Sequence, residues 1–275
     1  MKAGELLAGL FVFSLSLAAF FHAAFTGVSD PLLLFLPILA ACFISAPVLK
    51  DLTKAVVGFF TPFFAAAATA VALTRYPLDA LLGTASGDLA TLVVARNVVL
   101  GALVVAPFST VALTVAGYLA ERGRRPAKLA LPLGALASLA ALAALALSYA
   151  DWYSEVYAVK TLSAQLESLN VLPGERYPLL SLSVVLRTES AKPLEAVYLR
   201  YNVWRGSELV RQVADNFPGG LAITREGVAV RKAFELPEGL TLACFEGGGC
   251  SVHLQVVVRT RFGLTPIDYA LTSRG

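Results

Sequence analysis

The chain of 275 residues is 57% hydrophobic and 15% charged, with a mean hydropathy of +0.71 and a formal charge of +3. Soluble globular chains carry about 45–50% apolar and about 25% charged residues, so this composition excludes a wholly water-soluble protein and points to a membrane one. The surplus of base falls in residues 1–150, where membrane topology accounts for it, and gives no reason to expect a nucleic-acid partner.

The first apolar run is Leu6–Phe25, preceded by Lys2. Ala23 and Ala24 would suit a signal-peptide cleavage site. Glu5, however, is foreign to a basic leader, and the run exceeds the about 7–15 apolar residues of a leader core. It reads as a retained helix. Thr26–Pro31 is a short turn free of Lys and Arg, hence external. Leu32–Leu49 crosses back, with Lys50 and Lys54 at its inner end, and Ala55–Leu73 crosses outward again. Arg75–Leu89 is expected as an external loop, broken by Pro77, Gly83 and Gly87, with the apolar patch Leu78–Leu82 in the interface. Val98–Leu119 then returns inward.

There Arg122, Arg124, Arg125 and Lys128 crowd one short loop ahead of the Ala/Leu-rich run Leu129–Ala150. Basic residues beside one end of an apolar helix hold that end in the cytoplasm, and aromatic rings such as Trp152 and Tyr153 favour the opposite interface. Lys2, Lys50 and Lys54 fall on the same inner side, and only Arg75 and Arg96 outside. The expectation is a helical membrane bundle of about five transmembrane helices (6–25, 32–49, 55–73, 98–119 and 129–150), N-terminus cytoplasmic, with residues 151–275 extracytoplasmic.

Within the bundle, Pro37, Pro62 and Pro107 sit in spans. They read as kinks, since broken helices around a transported substrate would bring polar groups with them. Arg96 lies at the outer end of its span and reads as an interface anchor that snorkels to the headgroups. Gly134 and Ser138, four apart, let another helix approach closely; the spacing fits intramolecular bundling or a homo-oligomer and does not separate them.

From Tyr153 onward the apolar period changes to two. Leu180, Leu182, Val184 and Leu186 alternate with polar residues, as do Val197–Val203 and Val252–Val258. Arg205-Gly206-Ser207 reads as a hairpin turn before Leu209–Val213, with further strands at Tyr157–Leu166, Leu221–Thr224 and Val228–Leu236. Tyr157–Leu166 also suits a helix prolonging the last span, through Val156, Val159, Leu162, Leu166 and Leu169. About seven strands predict an all-β, immunoglobulin-like sandwich. Leu180–Thr188, the turn Ser190–Leu194, the Tyr-containing strand Ala196–Trp204, Arg205-Gly206-Ser207 and Phe217-Pro218-Gly219-Gly220 together give a pattern that resembles late-embryogenesis-abundant proteins of the water-stress and hypersensitive-response type. That resemblance implies a non-catalytic sandwich with a structural or protective role and transfers no active-site residues.

Cys244 and Cys250 bracket a Gly-rich segment and are expected to form a disulfide closing a hairpin tip, in an oxidising compartment. A metal site using them with His253 would have only His22, in the first apolar run, and the initiator Met1 as further His and Met ligands, so it is not expected. No nucleophilic triad, phosphate loop or dinucleotide fingerprint is present, so neither an enzyme nor a cofactor is expected. The expected role is a multi-pass cell-envelope protein that presents an external sandwich to a protein partner or other envelope component. A transporter or channel subunit with the sandwich as receptor or cap is the alternative.

Overall fold

The computed structural model describes residues 3–25, 38, 52–121, 130–261 and 263–271. The expected span 32–49, Ile38 apart, and the basic cluster Arg122, Arg124, Arg125 and Lys128 lie outside them. The chain divides into two compact units, Met1–Tyr153 and Ser154–Gly275.

The first unit is helical: α1 (Ala3–Phe25), α2 (Leu52–Leu82), α3 (Thr84–Glu121) and most of α4 (Ala130–Lys160). All four are long and apolar enough to cross a membrane. Close packing follows from small residues alternating with rings: Ala66 and Ala70 are fully buried on α2, and the Phe20 ring of α1 meets Phe63 of α2 edge-on at 5.2 Å.

Arg75–Leu89, expected as a loop, is helical on both sides of Gly83. Gly83 alone interrupts the chain between α2 and α3, at φ +94°, a conformation glycine adopts without steric cost. Arg75 then spans the break, its Nε 3.1 Å from Asp79 Oδ2 and its Nη2 2.9 Å from Asp88 Oδ1. Pro77, read as a breaker, lies inside α2. A proline there supplies no N–H to the carbonyl four residues back, which is that of Leu73. Tyr149 of α4 donates its hydroxyl to that same Leu73 carbonyl at 3.1 Å. The neighbouring helix thus satisfies the group that proline frees.

At its C-terminal end α4 enters the second unit, and the helix reading of Tyr157–Leu166 holds as far as Lys160. Two threonines end it: Thr161 Oγ1 donates to Tyr157 O at 2.9 Å, and Thr188 Oγ1 to Ala158 O at 2.9 Å. Tyr157 O already accepts the Thr161 N–H at 3.0 Å, and the hydroxyl of the same threonine adds to that bond, whereas Ala158 O, in the last turn, is met by the Thr188 hydroxyl.

Seven strands follow: β1 (Ser163–Leu172), β2 (Leu179–Arg187), β3 (Leu194–Arg205), β4 (Glu208–Ile223), β5 (Val228–Glu235), β6 (Cys250–Thr260) and β7 (Gly263–Leu271), with a short helix α5 (Leu242–Glu246) between β5 and β6. They form two antiparallel sheets, ordered β1-β2-β5 and β4-β3-β6-β7. The number of strands matches the expectation, but the membership differs. Leu221–Thr224 is not a separate strand, because β4 continues to Ile223, and β7 is additional. Pro266 weakens the strand signal of β7. The structure tolerates it because β7 is a sheet edge, where a missing N–H breaks no ladder on the open side.

Val197 is where alternation changes phase. Leu194 and Ala196 point into the core, and after Val197 the buried positions are Leu199, Tyr201 and Val203. Val197 has no partner on β4 or β6, whose registers jump from Ala196 to Tyr198. This bulge inserts one residue and so moves the inward set from even to odd positions. Opposite it, residues 217–220 of β4 (Phe-Pro-Gly-Gly) are likewise skipped. The expected alternation Val197, Leu199, Tyr201, Val203 therefore holds only from Leu199 onward. The core is built from Leu180, Leu182, Val184 and Leu186 of β2 and Val252, Leu254, Val256 and Val258 of β6, all essentially buried. Tyr201 meets Phe234 of β5 at 6.3 Å between ring centroids.

Candidate ligand-binding face

The outward side of the four-stranded sheet follows from the register. Because β3 resumes strict alternation after the bulge, Tyr198, Arg200, Asn202 and Trp204 all leave the core on one side. Tyr198 pairs with Asn216 and Val257, Arg200 with Ala214 and Gln255, Asn202 with Gln212 and His253, and Trp204 with Leu209 and Ser251. Strand β7 extends these rows with Ala270 beside His253 and Asp268 beside Gln255. One aromatic ring thus stands near the middle of β3 and another at its C-terminal end, with amides and one charge of each sign between them. All four β3 side chains are half-buried, as expected on an uncovered sheet surface.

Contacts hold the face in shape. Arg200 lies over the Tyr198 ring, 5.4 Å from its centroid, and its Nε donates to the Tyr198 hydroxyl at 3.3 Å. Trp204 meets the His253 ring edge-on at 6.3 Å. Gln255 Nε2 donates to Asp268 Oδ1 at 3.0 Å. The Asn202 Oδ1 is enclosed and has no hydrogen-bond donor among the described residues.

Beneath the face, burial pushes the Tyr201 hydroxyl well above the ordinary tyrosine range, and the nearby Asp215 carboxylate adds to the shift. Asp215 is itself paired with Lys232 of β5. Burial raises Tyr269 as well, and its hydroxyl donates to Leu162 O at 2.7 Å.

Cys244 and Cys250 form a disulfide, with Cα atoms 5.2 Å apart. It joins the short helix α5 to the first residue of β6 rather than closing a hairpin tip. Cys250 points into the core while His253 takes the opposite face, as strand parity requires. With both sulfurs in the bridge, neither is a thiolate available to a metal.

Arg96 is exposed on α3. Trp152 is fully buried against Phe21, Phe25 and Tyr149, with ring centroids 5.9, 5.3 and 5.5 Å away, and Tyr153 is 41% exposed beside Tyr149. In the same helical unit His22 ties α1 to α4 through Ser148 Oγ at 3.1 Å.

Two features carry no sequence signal that stands out. Glu155, 6% exposed on α4, holds Lys192 and Arg261. An open groove of about 740 Å³ runs between α1 and α2, lined by Gly9, Leu10, Val57, Gly58 and Pro62 among others. Its walls are apolar apart from Glu5 and two threonines, so it offers shape but little chemistry.

No protein-family model matches the chain, and no curated protein matches it. Among solved structures, the alkylpurine DNA glycosylase AlkC of Pseudomonas fluorescens, bound to DNA containing an abasic site analogue, aligns with 97% of this chain and 99% of its own at 12% identity. The TM-score of that alignment is 0.21, too low to carry an argument about fold or function.

Proposed function

We propose that this chain is a multi-pass integral membrane protein of the cell envelope, with a cytoplasmic N-terminus and an extracytoplasmic β domain that binds or assembles with an envelope component. The observation that carries the reading is one uninterrupted helix, Ala130–Lys160. Its earlier part is apolar enough to cross a bilayer, and its last turns are capped by side chains of the β domain. The Cys244–Cys250 bridge supports an oxidising compartment for that domain. We read the two sheets as an immunoglobulin-like sandwich in which β4 pairs with β3 instead of β5.

A binding role draws support over a transport role from the helix hydroxyls. Thr74, Ser109, Thr110, Thr114 and Ser138 each donate back to a carbonyl of their own helix, so the donor of each of these hydroxyls is already engaged within its helix. The test is protease added to sealed, right-side-out cells and to inverted vesicles. Digestion of residues 163–271 only in the cells is expected, and digestion only in the vesicles would reverse the topology.

A further inference from the structure

We infer that the free edge of β5 is a strand-pairing site for a second copy of this chain, joined antiparallel about a two-fold axis at Ala233. The inference deepens the assembly reading above by naming the partner, and it rests on that reading only for where the copies would meet.

An edge strand offers a row of N–H and C=O groups without partners, and folded chains blunt such edges with prolines, bulges or guarding charges. Three of the four edge strands here are blunted. β1 bulges between Leu166 and Ser168, β4 carries Pro218 within the segment that β3 skips, and β7 carries Pro266. β5 has neither device. All eight of its residues pair with Leu179–Leu186 without a register shift, and none is a proline. Its one lysine, Lys232, is held by Asp215 of β4, so that charge is already answered within the copy. On the side away from β2, the backbone of β5 has no backbone partner among the described residues.

Charge decides what this edge accepts. Arg231, Ala233 and Glu235 are exposed on one face of the strand, and neither charge has a partner among the described residues. At strand rise the two stand about 13 Å apart, beyond each other's reach within one copy. A two-fold axis at Ala233 sets Arg231 opposite Glu235 of the second copy and Glu235 opposite its Arg231, with two small alanines meeting between them. An axis at Arg231 or at Glu235 would instead set like charges against each other.

The strand's direction adds a consequence. Thr188 donates its hydroxyl to Ala158 O of α4 at 2.9 Å and its N–H to Thr224 O at 3.2 Å, just ahead of β5. β5 thus starts at the end of the domain where α4 enters and runs away from it, its last residue pairing with Leu179 at the start of β2. Antiparallel pairing therefore puts the two helices at opposite ends of the joined sheet, as copies meeting from two facing membranes would have them.

The test uses the full chain in detergent with Cys42 replaced by alanine, so that a cysteine introduced on β5 is the one thiol outside the Cys244–Cys250 bridge. Directly opposed residues of an antiparallel pair hold their Cα atoms about 4.5–5.5 Å apart, within reach of a disulfide. Ala233→Cys is expected to give a covalent dimer under mild oxidation. Ala229→Cys, whose two copies would lie about 26 Å apart along the strands, is expected to give none. Arg231→Glu and Glu235→Arg are each expected to lower the yield of the Ala233→Cys dimer about tenfold, and the two together to restore it. Both side chains are exposed, so each variant is expected to melt with its parent, which separates lost pairing from lost fold. Equal cross-linking at Ala229→Cys and Ala233→Cys, no covalent dimer from either, or a double exchange that fails to restore the yield would each overturn the inference. For the facing-membrane arrangement, Ala233→Cys chains with two different tags are reconstituted in separate vesicles and combined. A mixed-tag dimer is expected, and dimers confined to one tag would overturn that arrangement. None of these outcomes depends on which side is cytoplasmic, so a reversed topology would sink the envelope reading and leave the pairing standing.

Discussion

Removing the Glu155 carboxylate should loosen the β domain. Glu155 is 6% exposed in the last turns of α4. Its Oε1 accepts the backbone N–H of Arg261 at 2.6 Å, while Oε2 lies 3.2 Å from Lys192 Nζ and 3.6 Å from Arg261 Nε. The carboxylate thereby links the helix to the loop before β3 and to the β6–β7 turn. Truncation to alanine takes the acceptor from a partly buried N–H, a loss of about 1–3 kcal/mol. The lysine and arginine side chains are 28% and 38% exposed, so solvent screens them and each ion pair adds only about 0.2–1 kcal/mol. Glu155→Ala is thus expected to cost about 2–4 kcal/mol, which for a unit of this size lowers its melting temperature by about 10 °C. Glu155→Gln keeps an acceptor for the N–H and should lose about half as much. Temperature-stepped trypsin digestion of the purified full chain, following the appearance of cuts within residues 163–271, reads this shift. A Glu155→Ala variant within about 2 °C of the parent would show that the network adds nothing, and equal loss in both variants would refute the role given to the N–H acceptor.

Three further outcomes are expected. Replacing Cys244 and Cys250 together with serine should cost about 2 kcal/mol, the loop-closure value for so short a ring; reductant should lower the denaturation midpoint of the parent and leave that of the variant unmoved. Tyr149→Phe should weaken the helical unit by about 0.6–1.7 kcal/mol, read as detergent-driven unfolding, and by less when Pro77→Ala restores an N–H to the Leu73 carbonyl; equal losses in the two backgrounds would disprove the compensation. Tyr201 and Tyr269 are raised in the folded state, so the unfolded chain gives up those protons first. Their stabilisation is complete below the ordinary tyrosine value of about 10 and falls as pH climbs above it. Tyr201→Phe with Tyr269→Phe should flatten that decline in denaturation midpoint, and an unchanged slope would count against it.

Much of the outline follows from local sequence alone. Long Ala- and Leu-rich runs make helices long enough for a bilayer, because nothing in them competes with the helical period. Alternation made β2, β3 and β6 visible, and Gly206, at φ +56°, occupies the turn its sequence position demanded. The cysteine pairing followed from spacing and parity. In each case the deciding interactions lie within a few residues of one another.

Contacts distant along the chain decided the rest. Pro77 and Gly87 signal a loop on their own, yet the segment is helical on either side of Gly83, where Tyr149 takes up a carbonyl and Arg75 gathers two carboxylates. The phase change at Val197 is invisible to a period-two reading, because a bulge is defined by what the neighbouring strands leave unpaired. Glu155 looks like one more polar residue after an aromatic pair until Lys192 and Arg261 close on it. The grouping of Trp204, Asn202, Gln255 and Asp268 likewise exists only once β3, β6 and β7 are in register. Periodicity records which side of its own strand or helix a residue takes; which residues meet it there depends on how the chain folds back.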